Sequence, residues 1–457
     1  MIAMTDFDRR TTLALIGVGS AAASLPARAH SAVAKPHTPW LYSPEQAEAE
    51  AWIMRLEVDP DIKHLQSKIR AELAVSHRAQ TIPAAAATLD NAIAQWTRSL
   101  IFAEAIKRPW DPIMLWATDD TSRTWLGHTL GGVGTSGDNP DAVYHTGIIE
   151  GGGRYELLGQ FHPVSRPTQL LIEADAGDMT QPQKILGETK HLDIVSNALM
   201  TDKTLVVAPN GSFRITIGGE PDGPNHMAIP ASGTVSIGAR DMLADWRLRP
   251  VRMKLRRLDK VARQPWGYEQ VKALALQDLE GYIGFWAHFP DIWMGALKPN
   301  THAEPAPRPG GWGFVAGLNF HLGEGEGLLV TLSPGAAQYT GFQINDPWMI
   351  APDARTRQVC LNNGQVTPNA DGTVTYVIAK TDPGAANWLD TAGLDDGLAI
   401  MRWQQVPADM TNAGMIRDFR VVRLSELAGM KGLPRVTSQQ RRARISARTG
   451  AYNTRVR

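Results

Sequence analysis

Apolar residues recur at helical spacing in three stretches near the start of the chain. Behind Ser43-Pro44-Glu45-Gln46, a cap followed by proline at the first turn, the pattern runs through Trp52, Ile53 and Leu56. Asp61 to Val75 repeats it with Ile62, Leu65, Ile69 and Leu73, and Ala84 to Ala105 with Leu89, Ile93, Trp96 and Leu100. A helical unit is therefore expected over 43–137. From 138 the apolar runs shorten and alternate, as strands do, in Tyr144–Ile149, Tyr155–Phe161, Gln169–Glu173, Leu192–Ser196, Thr204–Val207 and Phe213–Ile217. Asn210-Gly211 marks a hairpin turn. This first β region is bounded at 138–262. Helical spacing returns over 263–311, an insert with seven aromatic residues and a Pro/Gly-rich loop at Pro305–Gly311. A second β region follows over 312–423, then a helical tail over 424–457.

Many short strands with turn signals between them predict an α+β chain. Its core is mainly an antiparallel, jelly-roll-like β-sandwich, joined by an N-terminal helical unit, a helical insert and a short C-terminal helix. The pattern fits one composite sandwich or two small ones, and no repeat of 20 to 50 residues is evident.

The first 29 residues change the picture from fold to location. Arg9-Arg10 precede a short apolar core, Thr11–Ala23, and Ala27-Arg28-Ala29 supplies a small-x-small cleavage pattern. A twin-arginine signal is expected here, with cleavage after Ala29, a linker over 30–42, and a folded cargo delivered to the periplasm. The single cysteine, Cys360, rules out an intramolecular disulfide and suits a protein that folds before export. Balanced charge, 46 basic against 46 acidic residues, gives no reason to expect nucleic acid as a partner.

Motifs for familiar chemistry are few. Gly132-Val-Gly134-Thr-Ser-Gly137 spells GxGxxG, but a helical segment precedes it and no helix follows, so a nucleotide cofactor is not expected. One cysteine and no HExxH pair leave a metal site unsupported by motif, although scattered histidines could still converge. The aromatic insert, Trp286 included, reads as core or as the wall of an apolar or sugar-stacking pocket. The tail carries Arg441, Arg442, Arg444, Arg448, Arg455 and Arg457 and no acid after Glu426. It reads as a packed helix or as a contact for anionic lipid or glycan.

Three blocks carry a resemblance. They are Asp138-Asn139-Pro140-Asp141 with Tyr144 and Gly153–Gly159; Gln338-Tyr339-Thr340-Gly341-Phe342-Gln343-Ile344-Asn345-Asp346-Pro347-Trp348; and Asp382-Pro383-Gly384-Ala385-Ala386-Asn387-Trp388-Leu389-Asp390-Thr391-Ala392-Gly393 with Gly397–Trp403. Together they resemble the family catalogued as domain of unknown function 1214. The resemblance implies a jelly-roll-like β-sandwich core and no assigned reaction. The twin-arginine signal departs from many members.

Read as residues, Asn387, Trp388 and Asp390 grip a polar ligand or clamp a loop, and Asp346 with Trp348 presents the same choice. Arg402 is an expected partner for Asp390 or Asp346. The leading expectation is an exported enzyme for a small apolar molecule or sugar, its pocket lying between the β core and the aromatic helix. Acid/base work falls to Asp346, Asp390, His226 or His321, and ligand contact to Trp348, Asn387, Trp388, Arg402 and Trp286. The alternatives are a non-catalytic ligand-binding or envelope-assembly protein, as a monomer or an oligomer, and a metal-dependent enzyme with a His/carboxylate site.

Overall fold

The computed structural model describes residues 38–184, 196–295, 297–308 and 312–457. The signal segment 1–29, linker residues 30–37 and most of the expected strand Leu192–Ser196 lie outside them.

Ser43 caps the first helix as its position suggests, its hydroxyl accepting from the Gln46 amide at 3.1 Å ahead of Pro44–Glu57. Asp59 caps Pro60–Ala74, and a proline opens Pro83–Ala105. The aromatic insert is one long helix, Tyr268–Met294, closed by Gly295 at φ 59°. It packs against Pro60–Ala74 and Pro83–Ala105, so two segments distant in sequence form one helical bundle. Ile53, Ile69, Leu89, Trp96 and Leu100 meet Val271, Leu279 and Ile283 in its core.

Beyond Ala105 the helical pattern stops. Leu115–Trp116 pairs with the first sheet, and Arg123–Trp125 forms a hairpin with His128–Leu130 through Leu126 and Gly127, both at positive φ. Thr204–Val207 is not a strand. Its Val206 backbone is paired with the Asn225 side chain, which accepts from the amide at 2.8 Å and donates to the carbonyl at 2.9 Å. A side-chain amide thus takes the place of a neighbouring strand.

The two β regions are two sandwiches, each with its own core. In the first, Ala142–Glu150, Thr234–Met242, Gln169–Ala176 and Ser196–Thr201 lie side by side in one sheet. Arg252–Arg257, Tyr155–Gln160, Ser212–Ile217 and His226–Met227 form the facing sheet. In the second, Gly313–His321, Asp396–Gln404, Tyr339–Asn345 and Cys360–Asn362 face Ile416–Arg423, Glu326–Leu332, Val374–Ala379 and Trp388–Asp390. The strand orders are the same: counted in chain order, strands 1-7-3-4 lie against 8-2-5-6 in both. Even the parallel pairing of strands 5 and 6 recurs. The chain therefore contains one jelly-roll-like topology twice. Leu157, Ile172, Ile215 and Ile237 fill the first core; Leu318, Val330, Phe342, Tyr376 and Met401 fill the second.

The tail ends in helix Ser438–Tyr452, whose Thr437 and Gln440 form a capping box. Arg441, Arg448 and Arg455 are buried fasteners. Arg441 pairs with Asp382 at 2.9 Å, Arg448 donates to the Ala354 carbonyl at 2.6 Å, and Arg455 donates to that of Pro140 at 2.7 Å. Arg442, Arg444 and Arg457 stay at the surface.

Candidate functional site

Strand alternation puts one polar stripe on the outer face of the first sandwich. Register sets Arg240 opposite Tyr144 and Gly238 between Thr146 and Glu173, so these side chains share a face with Ser236 and Asp175. Helices Pro83–Ala105 and Tyr268–Met294 roof the stripe with Ser99, Phe102, Ala103, Ile106, Tyr282 and Trp286. Between sheet and roof lies a cavity of about 240 Å³, polar below and mainly apolar above, where Ser99 and Tyr282 add two hydroxyls.

The floor is electrostatically organised. Arg240 pairs with Glu173 at 2.7 Å, and Gly238 leaves room for that carboxylate, because a Cβ there would sit 3.3 Å from it. The Tyr144 hydroxyl accepts from the Asn139 amide at 3.0 Å, and burial, then the Asp138 charge, pushes its pKa up. Asp138 takes the Thr135 amide at 2.7 Å and the Thr135 hydroxyl at 2.9 Å. Desolvation raises its carboxyl above the usual range against those bonds and the Arg402 charge. Asp120, beside it, is raised further by burial and by Asp138. In the roof, the Tyr282 hydroxyl lies 2.9 Å from Ser99 Oγ, and the buried Trp286 indole N–H has no well-aligned hydrogen bond.

The GxGxxG loop borders this site and is explained by packing. A Cβ on Gly134 would fall 1.9 Å from Asp120 Oδ1 and 2.6 Å from Gln95 Oε1. The glycine admits an acid and an amide, and carboxylates beside the loop disfavour phosphate.

Of the catalytic and ligand-contact candidates named from sequence, only Trp286 lines the cavity. Asp346 is a loop clamp: its Oδ1 accepts from the amides of Trp348 and Ile350 at 2.9 and 3.0 Å, and burial pushes its pKa up to about 7. Trp348 is buried and donates its indole N–H to the Ala85 carbonyl at 2.8 Å. Asn387 bonds both backbone groups of Thr367 at 2.8 Å, and Trp388 donates to the Ala379 carbonyl at 2.8 Å. Asp390 pairs with Arg357 at 3.1 Å and takes the Ala392 amide at 2.8 Å. His226 lies 2.9 Å from Thr216 Oγ1 at the end of a facing-sheet strand, and exposed His321 lies 2.6 Å from Asp396. The structure therefore does not gather Asp346, Asp390, His226 and His321 into one acid/base site. The partner expected for Arg402 is also corrected: its guanidinium donates to Gln343 Oε1 and to the Gly137 carbonyl, the latter at 2.5 Å, not to Asp346 or Asp390.

Sequence reasoning missed Glu173, Arg240 and Ser99, which carry no motif. Asp138 and Tyr144 stood in the first resemblance block but drew no chemical role. His145, on the same strand, faces the sandwich interior 3.6 Å from Asp241, and burial pushes its pKa down to about 4. A larger groove of about 890 Å³ follows strand Arg252–Arg257. It is open, and several of its cations are already paired, Arg257 with Glu150 and Asp259 and Arg263 with Asp111. Among the described residues no three His, Cys, Asp or Glu side chains form a group able to hold a metal ion.

No family model and no curated protein matches the chain. The crystal structure of an uncharacterized protein from Burkholderia cenocepacia is similar over 84% of this chain and 97% of that one, with TM-score 0.64 and 22% identity. That likeness shows a shared fold. A crystal structure of a Vibrio parahaemolyticus protein aligns over 62% of this chain and 89% of that one at TM-score 0.37 and 11% identity.

Proposed function

We propose that the protein is an exported, folded member of the domain-of-unknown-function-1214 family that takes a small, mostly apolar molecule into the cavity under the aromatic helix. The observation that carries this reading is the division of that cavity: Phe102, Ala103, Ile106 and Trp286 above, Tyr144, Glu173 and Arg240 below. An apolar enclosure with a few convergent polar groups is the usual form of a small-molecule site, and about 240 Å³ restricts the occupant to a compact one. Arg9-Arg10 and the lone Cys360 support delivery to the periplasm in folded form.

Catalysis is the second reading, favoured by one observation: Asp138, with its raised pKa, and Tyr144 both reach the cavity. The site's acid would then be Asp138 rather than Asp346 or Asp390.

Ligand-observed NMR with a library of small aromatic and aliphatic fragments tests the binding reading. Hits should bind the parent chain and be lost in Ala103→Phe, which fills the cavity, while its circular dichroism and melting stay close to the parent's. Fragments that bind both chains alike, or no hits to the parent at all, refute it. If the chain is an enzyme, Asp138→Asn keeps fragment binding and loses turnover of any molecule the parent converts.

A further inference from the structure

The duplicated topology places two arginines in equivalent positions. Arg240 is the seventh residue of Thr234–Met242, and Arg402 is the seventh of Asp396–Gln404. Each stands opposite the third residue of its neighbouring strand, Leu171 in one sandwich and Gly341 in the other. Each also bonds the fifth residue of that strand. In the first sandwich this is Glu173, a carboxylate, 2.7 Å from Arg240; in the second it is Gln343, a neutral amide. The same hydrogen bond is made twice, and only one of the two cations is neutralised by it.

A third guanidinium joins them from the segment leading into the second sandwich. Arg308 stacks 4.0 Å from the centroid of the Trp312 ring, and Arg240 lies 5.4 Å from that same centroid and 5.8 Å from the centroid of Tyr144. Among the described residues no carboxylate pairs with Arg308 or Arg402 within 4 Å, and the Arg308 side chain makes no hydrogen bond. Desolvation, then the positive charges of Arg240 and Arg402, pushes the Arg308 pKa down to about 9, so it stays cationic at neutral pH in a field of its own sign. Asp138, the acid near Arg402, is committed to Thr135 and is itself raised by burial. Like charges gathered in this way, with Arg308 only partly buried and so open to a ligand, favour an anion between them.

We infer that the cavity end at Tyr144 and Arg240 continues, beyond the residues that line it, into an oxyanion subsite formed with Arg308 and Arg402, and that the ligand is a small carboxylate on an apolar body. The carboxylate takes the free donors of Arg308, and the body lies under Phe102 and Trp286. This rests on the binding reading of the cavity above and adds the ligand's charge to it.

The test is calorimetric titration of the full chain with benzoate, phenylacetate and hexanoate, each set against its primary amide. The carboxylates should bind at least tenfold tighter than the amides. Arg308→Gln should remove that preference while leaving amide affinity unchanged, and Arg308→Lys should restore part of it. The only hydrogen bond of Arg308 among the described residues is that of its backbone amide to the Gly313 carbonyl, which any side chain keeps, so these variants should fold like the parent, checked by their melting. Amides that bind as well as the carboxylates overturn the anion subsite and leave the cavity reading standing. An Arg308→Gln variant that weakens both classes equally assigns Arg308 a structural role and overturns it too. Binding of neither class to the parent removes the cavity reading and the inference with it.

Discussion

Glu50 ties the helical bundle to the hairpin beside it, and its replacement gives a sharp test of the energetics. The residue is fully buried on helix Pro44–Glu57. Arg123 reaches Oε1 through Nη2 at 2.7 Å and Nε at 3.1 Å, and Gln46 donates to the same oxygen at 2.9 Å. Oε2 takes the Trp125 indole N–H at 2.7 Å and lies 2.9 Å from His128 Nε2. Arg123 is only 2% exposed and stacks 4.1 Å from the centroid of the Trp116 ring, so it has no route to water. Glu50→Gln keeps the shape and removes the charge. It leaves a buried guanidinium without its counter-ion and turns an amide NH₂ toward other donors, which should cost about 3–5 kcal/mol at pH 7. Desolvation alone would raise the Glu50 pKa, but Arg123 and then the hydrogen bonds of Gln46, His128 and Trp125 outweigh it and hold it below its ordinary 4.5. A depressed folded-state pKa contributes stability that is present above the unfolded value and lost as pH falls through the folded one. The penalty of Glu50→Gln should therefore shrink on going from pH 7 to below about 4.5. Urea denaturation followed by tryptophan fluorescence measures it, and the double variant with Arg123→Met should be less destabilised than the two single changes summed, by more than about 1 kcal/mol. A Glu50→Gln cost under about 1 kcal/mol at pH 7, or an additive double variant, would refute the reasoning.

Asp346 should show the opposite sign. Its folded pKa is raised to about 7, so the folded state binds the proton more tightly and this group removes stability as pH rises from about 4 through 7. Asp346→Asn retains an oxygen for the Trp348 and Ile350 amides, so it should match or exceed the parent in stability at pH 8 and lose any advantage at pH 5, read from melting at the two pH values. Burial pushes the Cys360 thiol up to about 12 despite the Arg448 guanidinium beside it, and the residue is 1% exposed. A disulfide reagent should therefore label it at pH 8 only after urea unfolding, and stoichiometric labelling of the native chain would contradict the burial.

Local signals in the sequence are read correctly where the chemistry is itself local. Ser43-Pro44 starts a helix because a hydroxyl three residues away satisfies a free amide, and the long apolar period of Tyr268–Met294 survives any packing. The failures share a cause. Thr204–Val207 has the composition of a strand, but Asn225, far along the chain, supplies its hydrogen bonds. Asp346, Asn387 and Asp390 have the composition of a ligand grip, and the same oxygens and amides serve equally to fasten jelly-roll corners. Nothing in the one-dimensional pattern separates the two uses; burial against backbone partners does.

The repeated topology was hidden for a related reason. What the two sandwiches share is position within a sheet, while the residues at matched positions differ, Tyr144 against Val315 and Leu171 against Gly341. The cavity draws Ser99, Tyr144, Glu173, Arg240 and Trp286 from five separate elements, so no spacing announces it. Arg402 shows what register adds. Its sequence context marks it as a ligand residue with a carboxylate partner. Strand pairing instead gives it Gln343, at the place where its counterpart Arg240 has Glu173. One difference of amide for acid between two copies of a fold leaves Arg402 without the counter-ion that Arg240 has, and it becomes visible only when the strands are laid in order.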